Sequence, residues 1–311
     1  MAIGTLSQLT TKGIRRDLQE RAQESGFPWR EHCTLVDSNT DVEPFGWAGA
    51  VPQPRLMMGG RRIREIRSFT YNIQNGEYEL TVLIPRKWWE DDLTGAIRMR
   101  VAEIGSAFAN YKPYLFTQML LNGGTAGYIA YDGATFFHDT RTEGDSGTID
   151  NNRTSVAAAD DAVPTAAEFL TQMGVIKAAM ARFLDDSGQP ANIQAMQRVR
   201  VIVPPEAEAQ VRTALYAAQL AATDNVFGRG LAELDIDSFL TYSGTTCTIF
   251  VSAVGGVFRP IIYQQRIPLE IVLFDDPRWI DANDGLLVTL RERFAFAYGN
   301  FRTMVKHVFT T

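Results

Sequence analysis

The stretch from Asp91 to Gly124 sets the scale of what this chain can fold into. Leu93, Ile97, Val101, Ile104, Phe108, Tyr111, Leu115 and Met119 recur at spacings of three or four residues, the period of one helix face. Asp91 or Asp92 can cap the start, where a carboxylate meets the positive end of the helix, and Gly123-Gly124 supplies a stop. Unbroken from Leu93 to Leu121, such a helix would be about 44 Å long. Pro113 is expected to kink it or to begin a second short helix at PYLFTQMLLN. A helix of that length is a spine, too long for a small compact body.

Just before it, residues 67–84 read RSFTYNIQNGEYELTVLI. Asn75-Gly76 is the preferred pair for a two-residue hairpin turn, because both positions tolerate φ > 0. The expected register opposes Ile73 with Tyr78, Tyr71 with Leu80 and Phe69 with Val82, putting six apolar side chains on one face. Asn72 with Glu79 and Thr70 with Thr81 fall on the other. A lone two-stranded hairpin is marginal in water, so its apolar face requires a second surface. The lead-in, PRLMMGGRRIREIR, holds five arginines and one acid between Arg55 and Arg67, a local charge of +4. Such a patch suits an acidic surface on another molecule.

Residues 1 to about 50 read as an extended arm with one helix near 14–25, carrying Ile14, Leu18 and Ala22 on one side. Prolines at 28, 44, 52 and 54 make this a poor core segment. Residues 125–163 read as a short apolar strand or turn followed by a long exposed loop. From Asp132 to Asp161 this stretch holds seven acids and two arginines, a local charge of −5. From Thr165 the texture becomes α+β. TAAE is a capping box opening a helix with Phe169, Met173, Ile176, Met180, Phe183 and Leu184. Strands follow at RVRVIVP, LAELDI, TCTIFVSA, FRPIIYQQ and LEIVLF, with a helix at PEAEAQVRTALYAAQLAA. The last segment reads as a strand alternating Leu290, Phe294 and Phe296 with Arg291 and Arg293, closed by a short helical turn.

Chemistry is sparse. The 311 residues carry a net charge of −6, which argues against a dedicated nucleic-acid binder with one basic face. The two cysteines, Cys33 and Cys247, lie far apart and read as reduced packing residues. No run of about 18 apolar residues implies a membrane span. The start lacks the layout of a signal peptide, so the expected compartment is a cytoplasm. HDTRTEGD gathers His138 with three acids, yet no second histidine stands at ligand spacing, and no metal or cofactor is expected. Neither a nucleophile elbow nor a phosphate loop occurs, so an enzyme built on His138 lacks a nucleophile. The acids of ELDID and FDDPRWIDAND read as markers of turns.

The order of parts resembles the Hong Kong 97-type fold of tailed-phage major capsid proteins, and more closely the phage Mu-type major head subunit family. YNIQNGEYELTVLIPRKWWEDD, YDGATFFHD, FRPIIYQQR and YGNFRTMVKHV carry the resemblance, through their order and spacing. One departure is that His138 follows Phe137 directly, where the family usually places a His-Pro pair further on, so no contact is transferred there. The resemblance implies an N-terminal arm (1–53), an extended β-hairpin loop (54–88), a peripheral domain with the spine helix (89–164 and 263–311) and an inserted α+β axial domain (165–262). It implies a non-enzymatic shell subunit of a virion, assembled in a bacterial cytoplasm and enclosing double-stranded DNA that it touches non-specifically. Partners would be further copies in hexameric and pentameric capsomers, a separate scaffold or maturation protease, a portal and decoration proteins. An encapsulin-type nanocompartment shell shares the fold. The expected subunit interface is Arg61, Arg62, Arg64 and Arg67 with Phe69, Tyr71, Ile73, Tyr78, Leu80 and Val82, lying across a neighbouring subunit. The 132–161 loop is a candidate partner for the arginines.

Overall fold

Two helices and a four-stranded sheet form the first half of the architecture. A computed structural model of the chain describes residues 8–23, 26–48, 68–90, 96–156, 162–220, 223–274 and 276–311. Helix α1 (Gln8–Gln23) buries Ile14, Leu18 and Ala22, the three positions its period singles out. It crosses the long helix α3 (Ala96–Asn122) at Gly105, where a Cβ would stand 3.0 Å from Arg21 Cβ and 3.1 Å from the Leu18 carbonyl oxygen. Glycine is therefore what allows the two backbones to approach. α3 runs through Pro113 without a break, and its 27 residues span about 40 Å. It ends where Gly123 meets the ring of Phe137, which a Cβ would strike at 2.8 Å.

The buried stripe of α3 is Val101, Gly105, Phe108, Lys112, Phe116 and Leu120. Of the predicted stripe, Leu93 and the side chain of Ile97 lie outside the described residues, Val101 and Phe108 are buried and Ile104 is half-buried. Beyond Phe108 the prediction runs one residue out of phase, with Tyr111 exposed and Leu115 and Met119 half-buried. The apolar surface of the helix is wider than one face at this end, and periodicity alone cannot tell which edge faces inward.

Between the helices the chain forms β1 (Cys33–Asp37), β2 (Val42–Ala48), β3 (Ser68–Gln74), β4 (Gly76–Pro85) and the short α2 (Arg86–Glu90). Here the largest departure from the sequence expectation occurs. β3 and β4 do not pair. β3 runs antiparallel to β2, with Phe45 opposite Tyr71 and Ala48 opposite Ser68. β4 instead joins a sheet of order β1-β11-β12-β4 with β11 (Ile261–Phe274) and β12 (Gly285–Tyr298), Leu80 opposite Leu290 and Val82 opposite Val288. Neither Asn75 nor Gly76 has positive φ, so the turn that the dipeptide favours is not made. The amphipathic period of β4 itself is as read: residues 78, 80, 82 and 84 are more covered than 77, 79, 81 and 83. That covered face lies over α1 and α3, in a cluster of Ile14, Leu18, Ile84, Val101, Phe108, Leu286, Val288 and Leu290.

The second half is a five-stranded sheet of order β5-β13-β10-β6-β9. In chain order its parts are β5 (Asn152–Val156), α4 (Ala166–Arg182), β6 (Val199–Val203), α5 (Glu208–Tyr216), the small hairpin of β7 (Gln219–Leu220) and β8 (Thr223–Asp224), β9 (Glu233–Ile236) and β10 (Thr246–Ala253). After β11, α6 (Pro277–Asn283) and β12 comes β13 (Met304–Thr310). α4 opens on the capping box: the Thr165 hydroxyl accepts from the Glu168 N–H at 3.3 Å, and Glu168 accepts from the Thr165 N–H at 2.8 Å. Phe169, Met173, Ile176 and Met180 are buried, as their spacing requires.

Several segments differ from their sequence reading. α5 stops at Tyr216, nine residues after it starts, rather than running to 222. FRPIIYQQ and LEIVLF merge into the single strand β11, which passes Pro268 by register shifts on either side. The final segment adds β13, a strand paired on both sides, after its helical turn at Phe301–Thr303. The arm is no poor core segment at its end: Phe27, Trp29, His32 and Cys33 are buried, and β1 pairs in parallel with β11. The 125–156 region is not simply exposed, since Phe136, Phe137, Arg141, Ile149 and Asn151 are buried.

Substituting Gly105→Val should push α1 off α3 and lower stability by about 1–3 kcal/mol, the ordinary cost of overpacking. An unchanged midpoint in thermal or urea unfolding would show that the helices do not cross there.

Candidate assembly face and the joints beneath it

Asn75 is a buried pin rather than a turn. Its side-chain amide donates to Ser38 Oγ at 3.0 Å and to the Thr40 carbonyl at 2.9 Å, while its Oδ1 accepts from Gln264 Nε2 at 2.9 Å. Its backbone N–H donates to the Asp41 carbonyl at 3.0 Å. These bonds hold the point where the chain leaves the β2–β3 ribbon and enters the first sheet.

The apolar residues expected to await a neighbour already have partners in their own chain. Ile73 is buried in the main core. Tyr78 stacks on Phe294 at 4.3 Å between ring centroids and meets Tyr111 edge-on at 5.6 Å. Leu80 packs against the α1–α3 cluster, and Val82 is half-buried beside Val288. Tyr71 donates its hydroxyl to the Ile129 carbonyl at 3.3 Å. Phe69 lies on β3 opposite Trp47. The side chain of Phe69 and all of Arg61, Arg62, Arg64 and Arg67 lie outside the described residues. The arginines belong to the 49–67 connection between Ala48 and Ser68, which are register partners at the end of the ribbon.

Beside β3 and β4 an open groove of about 420 Å3 is lined by Tyr71, Tyr78, Met119, Tyr128, Ile129 and Tyr298, among others. Tyr128 and Ile129 are exposed on its rim. Tyr298 donates to the Met119 carbonyl at 2.8 Å, which ties the groove floor to α3.

Beneath this face lies a buried polar joint that no local pattern announces. His32 Nδ1 is 2.6 Å from Ser252 Oγ, and His32 Nε2 is 3.0 Å from Asp235 Oδ2. A carboxylate only accepts, so Nε2 carries the proton and Nδ1 accepts from the serine hydroxyl. Burial pushes His32 below its ordinary range, against the pull of Asp235. Burial pushes Asp235 up, but the Arg200 fork and His32 outweigh it and hold the carboxyl low. Arg200 clamps Asp235 at 2.6 and 2.5 Å, then reaches Glu233 at 2.6 Å. Arg198 extends the chain of charges to Glu233 and Glu31.

Serine, histidine and aspartate within hydrogen-bond reach are the residue types of a hydrolytic triad. His32, Asp235 and Ser252 are 0%, 3% and 0% exposed, so no substrate atom reaches them. The arrangement joins three segments: the turn before β1, β9 and β10. Asp235 was read from sequence as a turn acid, as was Asp237; both are buried. Their side-chain partners are 35 to 203 residues away in the chain, beyond any motif. His138, the histidine that the sequence singles out, is half-buried; its Nδ1 accepts from the Thr140 N–H at 3.1 Å and lies 3.5 Å from Asp139 Oδ1.

Three more pairs of this kind follow the same plan. Lys112 on α3 meets Glu292 on β12 at 2.7 Å, and Tyr263 donates to the same carboxylate at 3.0 Å. Arg302 pairs with Glu143 at 2.6 Å, while Arg141 pairs with Asp132 at 3.0 Å and lies 3.8 Å over the Phe301 ring. Both cysteines are buried and neither is in a disulfide, and burial raises Cys33 well above its ordinary range. Among the described residues no group of three or more His, Cys, Asp and Glu converges as a metal set, and no helix is long and apolar enough to cross a membrane.

The Mu-like prophage major head subunit gpT family matches residues 7–177, more than half of the chain. The chain belongs to this family. It is 30% identical over 123 residues to the major capsid protein of Escherichia phage Mu, a stretch covering 40% of each protein. The chain thus aligns with about two-fifths of that relative's length. The match to the procapsid of bacteriophage JBD30 covers 98% of this chain and 75% of that one, with a TM-score of 0.56 at 17% identity. A virus-like particle from Pyrococcus furiosus matches over 96% and 98% of the two chains, with a TM-score of 0.54 at 9% identity. The fold is the Hong Kong 97-type capsid fold, in an α+β arrangement.

Replacing Arg200 by Met leaves Asp235 buried without its cation and should cost about 3–5 kcal/mol of stability. Adding Asp235→Asn should recover part of the loss. Urea unfolding of both variants checks this; equal losses would mean that the ion pair is not the joint.

Proposed function

We propose that this chain is the major head subunit of a tailed phage or prophage. In this reading it assembles through copies of itself, as hexameric and pentameric capsomers, into a closed icosahedral shell around double-stranded DNA. The observation that supports this most is the gpT family match over residues 7–177, joined to a capsid fold spanning nearly the whole chain. Its place is then the virion, with assembly in the bacterial cytoplasm. It has no catalytic part, and its net charge of −6 suits a container whose wall grips phosphate weakly. A separate scaffold or maturation protease, a portal and decoration proteins are the partners this role calls for. The nanocompartment alternative shares the fold alone; the family match favours the phage head.

The division into arm, extended loop, peripheral domain (89–164 and 263–311) and axial domain (165–262) is kept here with revisions: β5 and β13, in ranges given to the peripheral domain, pair in the sheet of the axial strands β6, β9 and β10, and β1 of the arm pairs with β11. We assign the extended loop to the β2–β3 ribbon and its 49–67 connection, rather than to a hairpin centred on Asn75. That segment carries Arg61, Arg62, Arg64 and Arg67, which we assign to the contact with a neighbouring subunit together with Phe69, Tyr71 and the half-covered Tyr78, Leu80 and Val82. Ile73 is sealed within its own core and supports that face from below. In the 132–161 loop, Asp132 and Glu143 are committed to internal pairs, which leaves Asp139 and Asp145 exposed for the arginines. Each contact is modest, but every subunit gives and receives it, so weak contacts accumulate around a closed shell.

Electron microscopy and size-exclusion chromatography of the full chain, expressed with and without its scaffold, test the assignment. Shells of uniform size are expected with the scaffold, and capsomers or irregular particles without it. A small oligomer under both conditions would refute the shell role; shells filled with a cargo protein and lacking a portal would favour the nanocompartment. Reversing Arg62 and Arg64 to Glu should abolish regular shells while leaving the circular dichroism spectrum and unfolding midpoint unchanged. Normal shells from that variant would remove the arginines from the interface.

A further inference from the structure

Two residues beyond Asp235, a second aspartate is sealed in the molecule under different terms. Asp237 is fully buried, and among the described residues no lysine or arginine contacts it. Its Oδ1 accepts from the Phe239 N–H at 2.9 Å, and its Oδ2 lies 2.5 Å from Thr117 Oγ1 on α3. Thr117 Oγ1 is also 2.9 Å from the Pro113 carbonyl oxygen. A hydroxyl has one proton to donate, so it cannot serve both of those oxygens. The groups packed around Asp237 are Thr117 from α3, the Phe239 N–H two residues on, and the neutral imidazole of His32 from the turn before β1. His32 spends both ring nitrogens on Ser252 and Asp235, and Arg200 spends its fork on Asp235 and Glu233.

We propose that Asp237 is held as a neutral carboxylic acid whose proton pins α3 to the five-stranded sheet. Oδ2–H donates to Thr117 Oγ1, the Thr117 hydroxyl donates to the Pro113 carbonyl, and Oδ1 keeps the Phe239 N–H. Every polar atom of the relay is then satisfied, and no unpaired charge is buried. Burial raises Asp237 above its ordinary range, the bonds from Thr117 and Phe239 only partly opposing it. The neighbouring Asp235 is shifted the other way. The signs follow. Asp237 binds its proton more tightly folded than unfolded, so its contribution is complete below the ordinary aspartate range. It is lost as pH rises through the raised native value. Asp235 contributes above the ordinary range and loses its contribution as pH falls. Rising pH above the ordinary aspartate range therefore loosens the joint between the long helix and the sheet at one residue, whether or not the chain assembles.

The test uses the full chain and Asp237→Asn, which keeps the shape, offers an N–H to Thr117 Oγ1 and still accepts from Phe239. An infrared difference spectrum between wild type and D237N at neutral pH should show the carbonyl stretch of one protonated carboxylic acid. In urea unfolding the two should match in acid, and D237N should gain on wild type as pH rises, by up to tenfold in folding constant per pH unit. Thr117→Val should retain the acid band but shift it, because Oδ2–H loses its acceptor while Oδ1 keeps the Phe239 N–H. No band, or a D237N variant less stable by a constant margin at every pH, would overturn the proposal, as would a band that Thr117→Val leaves in place.

Discussion

Helix α3 has to serve two hydrophobic cores at once. Its first half contributes Val101 and Phe108 to the cluster over which β4, β12 and α1 close. Its second half contributes Phe116 and Leu120 to the main core, shared with the five-stranded sheet and the segment from Phe27 to Cys33. A rigid rod gripped at both ends fixes the relation between the two sheets, because neither core can be repacked without shifting the other. Gly105 and Gly123 are the places where this double duty removes a side chain: one lets α1 in, the other lets Phe137 in.

Along the same helix the polar joints lie where apolar packing gives way. Lys112 is paired to Glu292 under the first sheet, and one turn later Thr117 meets Asp237 under the second. Nearby, His32 links the N-terminal segment to Asp235 and Ser252. Buried polar groups of this kind are costly to leave unmatched, so they punish any arrangement other than the one that pairs them.

The chemistry-bearing constellation also bounds the function. The one Ser-His-Asp set among the described residues is sealed, and its aspartate is clamped by Arg200. At the rim of the groove beside β3 and β4, Tyr128 and Ile129 are exposed.

What the sequence by itself determined was local. The period of α1, the capping box at Thr165, the alternation within β4 and the span of α3 were legible, since each depends on residues within a few positions of one another. The family was legible too, through the order of those parts. What only the tertiary structure decided was pairing. Asn75-Gly76 carries a strong turn preference worth little against burial, and β4 found its partner about 200 residues away, because Leu290, Val288 and Leu286 complete a core that β3 cannot. The same holds for His32, Arg200, Asp235, Asp237 and Ser252: a charge or hydroxyl looks like surface until the fold brings its partner to it. Local preference is set by backbone geometry, whereas the choice among long-range partners is set by which arrangement leaves the fewest polar groups alone and the least apolar surface wet.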